Sequence, residues 1–124
     1  MKGVVIKDIN TIHEDERRKI DRILNGEMGI RDVHVLYMKQ KAILGNHWHT
    51  FPEAMWVVKG KVHYWMKHMI TGELEEMDIH EGQIMFKTGF IVHTGECSED
   101  CVLVDFSSES WISPDFNNHV EILK

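Results

Sequence analysis

From residue 31 onward the chain breaks into short apolar and aromatic runs, and in one of them apolar and polar positions alternate with a period of two. In KVHYWMKH the apolar Val62, Tyr64 and Met66 are interleaved with His63, Trp65 and Lys67, which puts one set on each face of a β-strand. The break at Thr71 and Gly72 suits a hairpin connection into GELEEMDI. DVHVLYMKQ, AMWVVKG, GQIMFKTG, FIVHTG and CVLVDFS share this texture, rich in Val, Ile, Tyr, Trp and Phe and separated by glycines and acidic turns. Each reads as a strand of about five to eight residues. Several short strands without alternating helices predict an all-β antiparallel sandwich or barrel, of which a jelly roll is the best description.

The N-terminal third reads differently. In TIHEDERRKIDRILNG, Thr11 stands three residues before Glu14, Ile20, Ile23 and Leu24 share one side of a helical projection, and Asn25-Gly26 closes the run. A capping box, an amphipathic stretch and a glycine stop predict a short helix or ordered arm lying on the barrel.

Composition narrows the classes. The chain has 124 residues, 43% hydrophobic and 27% charged, the balance of one folded domain, with its barrel over about residues 31–107. A formal charge of −6 and the lack of a Lys/Arg cluster argue against nucleic acid as a partner. The N-terminus lacks the apolar core of a signal peptide and no run is long enough to span a membrane, so a cytoplasmic location is expected. Cys97 and Cys101 are spaced C-x3-C in GECSEDC; without a second pair they read as free thiols.

The chemistry concentrates in GNHWHTFPEAMWVVKG. His47 and His49 are two apart, so on a strand both imidazoles face one side while Trp48 faces the other. Glu53 lies at an even offset beyond a bend at Pro52, and Met55 and Val57 continue the inward face. Two imidazoles and a carboxylate leave open positions on a divalent transition metal. FIVHTG supplies His93 from a later strand as the best fourth ligand. Burying these groups together is costly unless a cation satisfies them.

His47, His49, Glu53 and Gly60 fall in the pattern H-x-H-x3-E-x6-G, and Gly82 precedes His93 by G-x10-H. In these two motifs the chain resembles the cupin superfamily, small β-barrels of jelly-roll type, over most of its length. The resemblance implies that His47, His49, Glu53 and His93 hold a metal: zinc, iron, manganese or nickel. It also implies a homodimer. Lys41 stands where the first motif usually begins with glycine, and Thr88 and Phe90 replace a usual proline and glycine.

GNHWH and the flanks IHEDERRKI and DFSSESWISPDF are similar to keto-sugar isomerases and epimerases among the cupins of nucleotide-sugar and polysaccharide biosynthesis. Those relatives usually carry an arginine where this chain has Leu44, and its loss removes a bidentate grip on phosphate. The leading expectation is therefore a metal-dependent cupin acting on a small polar metabolite such as a keto-sugar, by isomerase or epimerase chemistry. Tyr64, His63 and His34 are the candidate proton-transfer residues. An iron-dependent dioxygenase and a non-catalytic metal- or ligand-binding module are the alternatives.

Overall fold

The alternating runs become two facing antiparallel sheets. In the computed structural model, β1 (Val4–Asp8), β9 (Gln83–Lys87), β6 (Glu53–Lys59), β11 (Cys101–Ser107) and β4 (Asp32–Met38) lie side by side in that order. The second sheet has the order β12 (Asn118–His119), β5 (Ile43–Trp48), β10 (Ile91–Cys97), β7 (Lys61–His68) and β8 (Leu74–His80). The structure describes residues 1–110 and the backbone of Asn118–His119; the rest of the C-terminal flank from Trp111 lies outside the described residues. No helix is present among the described residues, so none is long and apolar enough to cross a membrane.

Met55, Val57, Met85 and Leu103 from the first sheet meet Leu44, Val62, Tyr64, Met66 and Ile79 from the second in one buried cluster. Full burial of side chains this large stabilises the fold by about 1.5–3 kcal/mol each. Val62, Tyr64 and Met66 point inward and His63, Trp65 and Lys67 outward, as the alternation requires. Tyr64 fits because its cross-strand partner is Gly95, where an added Cβ would come within 2.9 Å of the phenol ring.

Ladder register makes the interior polar at one end. Asp32, Ser107, Glu53 and Lys87 are successive cross-strand partners over β4, β11, β6 and β9. The next inward row holds His34, Asp105, Met55 and Met85. Beyond them come Leu36, Leu103 and Val57. One end of the barrel is thus lined by ionisable groups and the other by aliphatic ones.

The expected N-terminal helix is corrected. The segment forms a hairpin of β2 (Asn10–Glu14) and β3 (Lys19–Arg22). The Asp15 carboxylate accepts hydrogen bonds from the Arg17 and Arg18 amides at 2.9 and 3.0 Å, while the Asp15 amide donates to the Arg18 carbonyl. These local bonds compete with a helical path and turn the chain. Thr11 then donates across the hairpin to Asp21 at 2.7 Å instead of capping a helix.

On the outer face of the second sheet, His63 lies between Asp78 and Glu76, each 2.6 Å from one ring nitrogen. The Asp78 hydrogen bond raises the imidazole pKa against a smaller effect of burial, and Glu76 adds to the rise. A raised folded-state pKa contributes stability that is fully present below the ordinary histidine pKa and is lost as pH rises through the raised value. The melting temperature of the wild type should therefore exceed that of His63→Gln most near pH 5.5, and the gap should narrow by pH 9. Thermal unfolding across that range checks the sign.

Candidate metal centre

Strands β5 and β10 bring the histidines together. His47 and His93 are direct cross-strand partners, and the register shifts by a bulge immediately after His93. Gly45 and Asn46 both have positive φ, 81° and 62°, so the chain kinks just before His47. A Cβ at Gly45 would come within 2.7 Å of the His93 carbonyl oxygen, so glycine permits this close approach. Thr94 donates to the Asn46 side-chain oxygen at 3.2 Å and fixes the kink. Trp48 points away and stacks on Phe90, with centroids 5.7 Å apart.

The ligating atoms of His47, His49 and His93 all lie within 4.8 Å of one another. The His47 ring lies 4.5 Å from that of His49 and 4.7 Å from that of His93, centroid to centroid. His93 Nδ1 lies 3.3 Å from the Ile91 carbonyl; donation there leaves Nε2 with its lone pair toward the site. Burial, with help from the nearby Lys87 ammonium, holds the His93 pKa well below the ordinary range. A neutral, oriented imidazole is the form that binds a metal. The three histidines fit a divalent transition ion on that ground.

Glu53 is placed differently from the other three residues of the motif. Its carboxylate oxygens lie 3.6 Å from His93 Nε2 and 3.7 Å from His49 Nε2, beside the three imidazoles that converge on one another. The side chain is instead paired with the Lys87 ammonium directly across the ladder. Both side chains are almost wholly buried, at 6% and 4% exposure. Burial opposes ionisation of Glu53, but Lys87, by its charge and hydrogen bond, and the His93 and His49 imidazoles together outweigh it and hold the carboxyl well below its usual range.

Asp105 completes the polar wall. Its Oδ1 is buried with no hydrogen-bond partner among the described residues. Burial, and then the charge of Glu53, push its pKa well above the usual carboxylate range, so this acid stays protonated beside an ionised one. Ser107, wholly buried, lies across the ladder from Glu53.

The three candidate proton-transfer residues separate. Tyr64 lies inside, fully buried, and donates to Met55 Sδ at 3.3 Å; burial, with Glu53 and Asp105, raises its pKa far above 10. The phenol is a hydrogen-bond donor and not a base. His34 lies on the inner side of β4 opposite Asp105, half-exposed at the barrel end and 3.3 Å from Asp32. His63 lies on the outer face and has no part in the interior site. Cys97 and Cys101 are free and buried; burial and its neighbour Cys101 push the Cys97 thiol up to about 12, which leaves it unreactive at neutral pH.

Lys87, Asp105 and Ser107 were not singled out in the sequence. The available signal was charge in phase with inward apolar positions: Lys87 shares parity with Met85, and Asp105 with Cys101 and Leu103.

Solved structures share this architecture along nearly the whole chain. The TDP-quinovose 3,4-ketoisomerase WlaRB from Campylobacter jejuni aligns at TM-score 0.79 and 14% identity, covering 93% of this chain and 92% of that one. The 3,4-ketoisomerase QdtA from Thermoanaerobacterium thermosaccharolyticum, in complex with TDP-4-keto-6-deoxyglucose, aligns at 0.77 and 16%, covering 93% and 86%. A dTDP-4-dehydrorhamnose 3,5-epimerase from Sulfolobus tokodaii aligns at 0.76 and 13%, covering 92% and 74%. The chain has the cupin-type jelly-roll fold. No family model matches the sequence, and no curated protein matches it either. In this cupin barrel His47 and His93 sit on the second sheet, with His49 one residue beyond β5, and face the Glu53, Lys87 and Asp105 wall of the first.

The buried ion pair gives a direct stability test. Lys87→Met leaves Glu53 as an uncompensated buried carboxylate and should destabilise the fold by about 3–5 kcal/mol. The double variant Glu53→Gln/Lys87→Met should recover most of that loss. Urea unfolding of the three proteins measures both numbers; a Lys87→Met loss below about 1 kcal/mol would put the lysine outside the pair.

Proposed function

We propose that this chain is a metal-dependent isomerase or epimerase of a keto-sugar. The observation that carries the reading is the convergence of three imidazoles, His47, His49 and His93, at the polar end of a barrel. Its architecture is shared with sugar 3,4-ketoisomerases and a 3,5-epimerase. Zinc, iron, manganese or nickel held by these histidines would supply Lewis-acid polarisation of a carbonyl and its adjacent hydroxyl.

The remaining work falls to the protein's own groups. His34, oriented by Asp32 at the barrel end, is the group we assign to move the proton between neighbouring carbons. Tyr64 and Asp105, both held protonated by burial, keep the wall beneath the site free of extra negative charge. Leu44 is buried in the core and offers no grip on a phosphate, so the sugar ring supplies the recognised atoms. Incubation of the metal-loaded protein with a panel of keto-sugars in deuterated water should show exchange at the carbon beside the ketone. His34→Gln should slow that exchange by about 100-fold or more. No exchange with any sugar would contradict the proposal.

A second copy of the chain is the partner we assign. Val33, Val35 and Tyr37 on β4 are 50%, 51% and 80% exposed and lie beside Phe106, Val104 and Val102 of β11. β4 is an edge strand among the described residues, so its backbone is open to a symmetric neighbour. Light scattering should give a dimer for the wild type and a monomer for Tyr37→Glu; a monomeric wild type contradicts the assignment.

A further inference from the structure

We infer that a metal in this barrel is held by His47, His49 and His93 alone, with Glu53 kept out of the coordination sphere by Lys87. The inference rests on the metal-dependent reading above. It departs from the four-residue ligand set that the motif spacing implies.

Three observations support it. The three imidazole nitrogens converge within 4.8 Å of one another, while the Glu53 carboxylate, 3.6–3.7 Å from two of them, is engaged by the Lys87 ammonium. Glu53 and Lys87 are direct partners on the β6–β9 ladder, so the pairing is built into the register and not a chance meeting of long side chains. Both ends of the pair are buried, so an ammonium abandoned by Glu53 could not swing into water and would remain uncompensated.

The arrangement has a chemical consequence. Three neutral imidazoles leave the full double positive charge of the ion in place, while the Glu53 and Lys87 charges cancel beside it. Such a centre favours an anionic chelate such as the two adjacent oxygens of an enediolate, whereas a ligating carboxylate would have removed half of that charge.

A crystal structure of the zinc-loaded wild type tests the inference without any variant. Three Zn–N distances of about 2.0–2.1 Å are expected, with Glu53 still on Lys87 and no Glu53 oxygen within bonding range. A Glu53 oxygen at about 2.0–2.2 Å from the ion overturns it. Metal-to-protein ratios after gel filtration give a second readout. Glu53→Gln/Lys87→Met, which removes both charges together, should keep its zinc; loss of zinc from this folded variant also overturns the inference. Zinc bound by the three histidines in a protein that turns over no keto-sugar would sink the proposed activity and leave this ligand assignment standing. A wild type that takes up no zinc would end both.

Discussion

Closing two sheets around Glu53 and Lys87 removes two full charges from water, and the organisation of the polar end depends on their meeting there. The ladder makes them partners, so neither is left uncompensated in the barrel interior. Everything nearby responds to that pair. Burial and then the charge of Glu53 keep Asp105 protonated, burial and then Lys87 keep His93 neutral, and the three histidines face a wall whose charges already cancel.

This division of labour separates stability from chemistry. The aliphatic half of the interior, from Leu44 and Val57 to Ile79 and Leu103, supplies the burial that holds the sheets together. The polar half is tolerated because its groups are paired, protonated or neutral. The kink at Gly45 and Asn46 aims His47 and His49, and the Ile91 carbonyl orients His93. A site assembled on strands in this way is held more rigidly than one assembled on loops.

Much of this was legible in the sequence. The strands around Tyr37, Tyr64 and Leu103 alternate between the two faces, while those around Trp56, Phe86 and His93 are nearly continuous buried runs legible from their apolar composition and bounding glycines. The grouping of His47 and His49 with His93 followed from parity and motif spacing. In the N-terminal segment a cap-like Thr11 and spaced isoleucines suit a helix equally well, and the local bonds of the Asp15 turn decide for the hairpin. β1 has little pattern of its own: VVIKD owes its place to pairing with β9 and stands apart from the apolar runs that begin at residue 31. The pairing of Lys87 with Glu53 depends on which strands become neighbours, and one sequence does not encode strand order in any local signal.

The central claim is that the three-histidine cluster is a metal centre. Titrating metal-free protein with zinc by calorimetry tests it most directly, in the wild type and in His47→Ala and His93→Ala. The account predicts saturation at a single ion per chain in the wild type and no saturable binding in either variant. Undiminished binding in both variants, or none in the wild type, would contradict it.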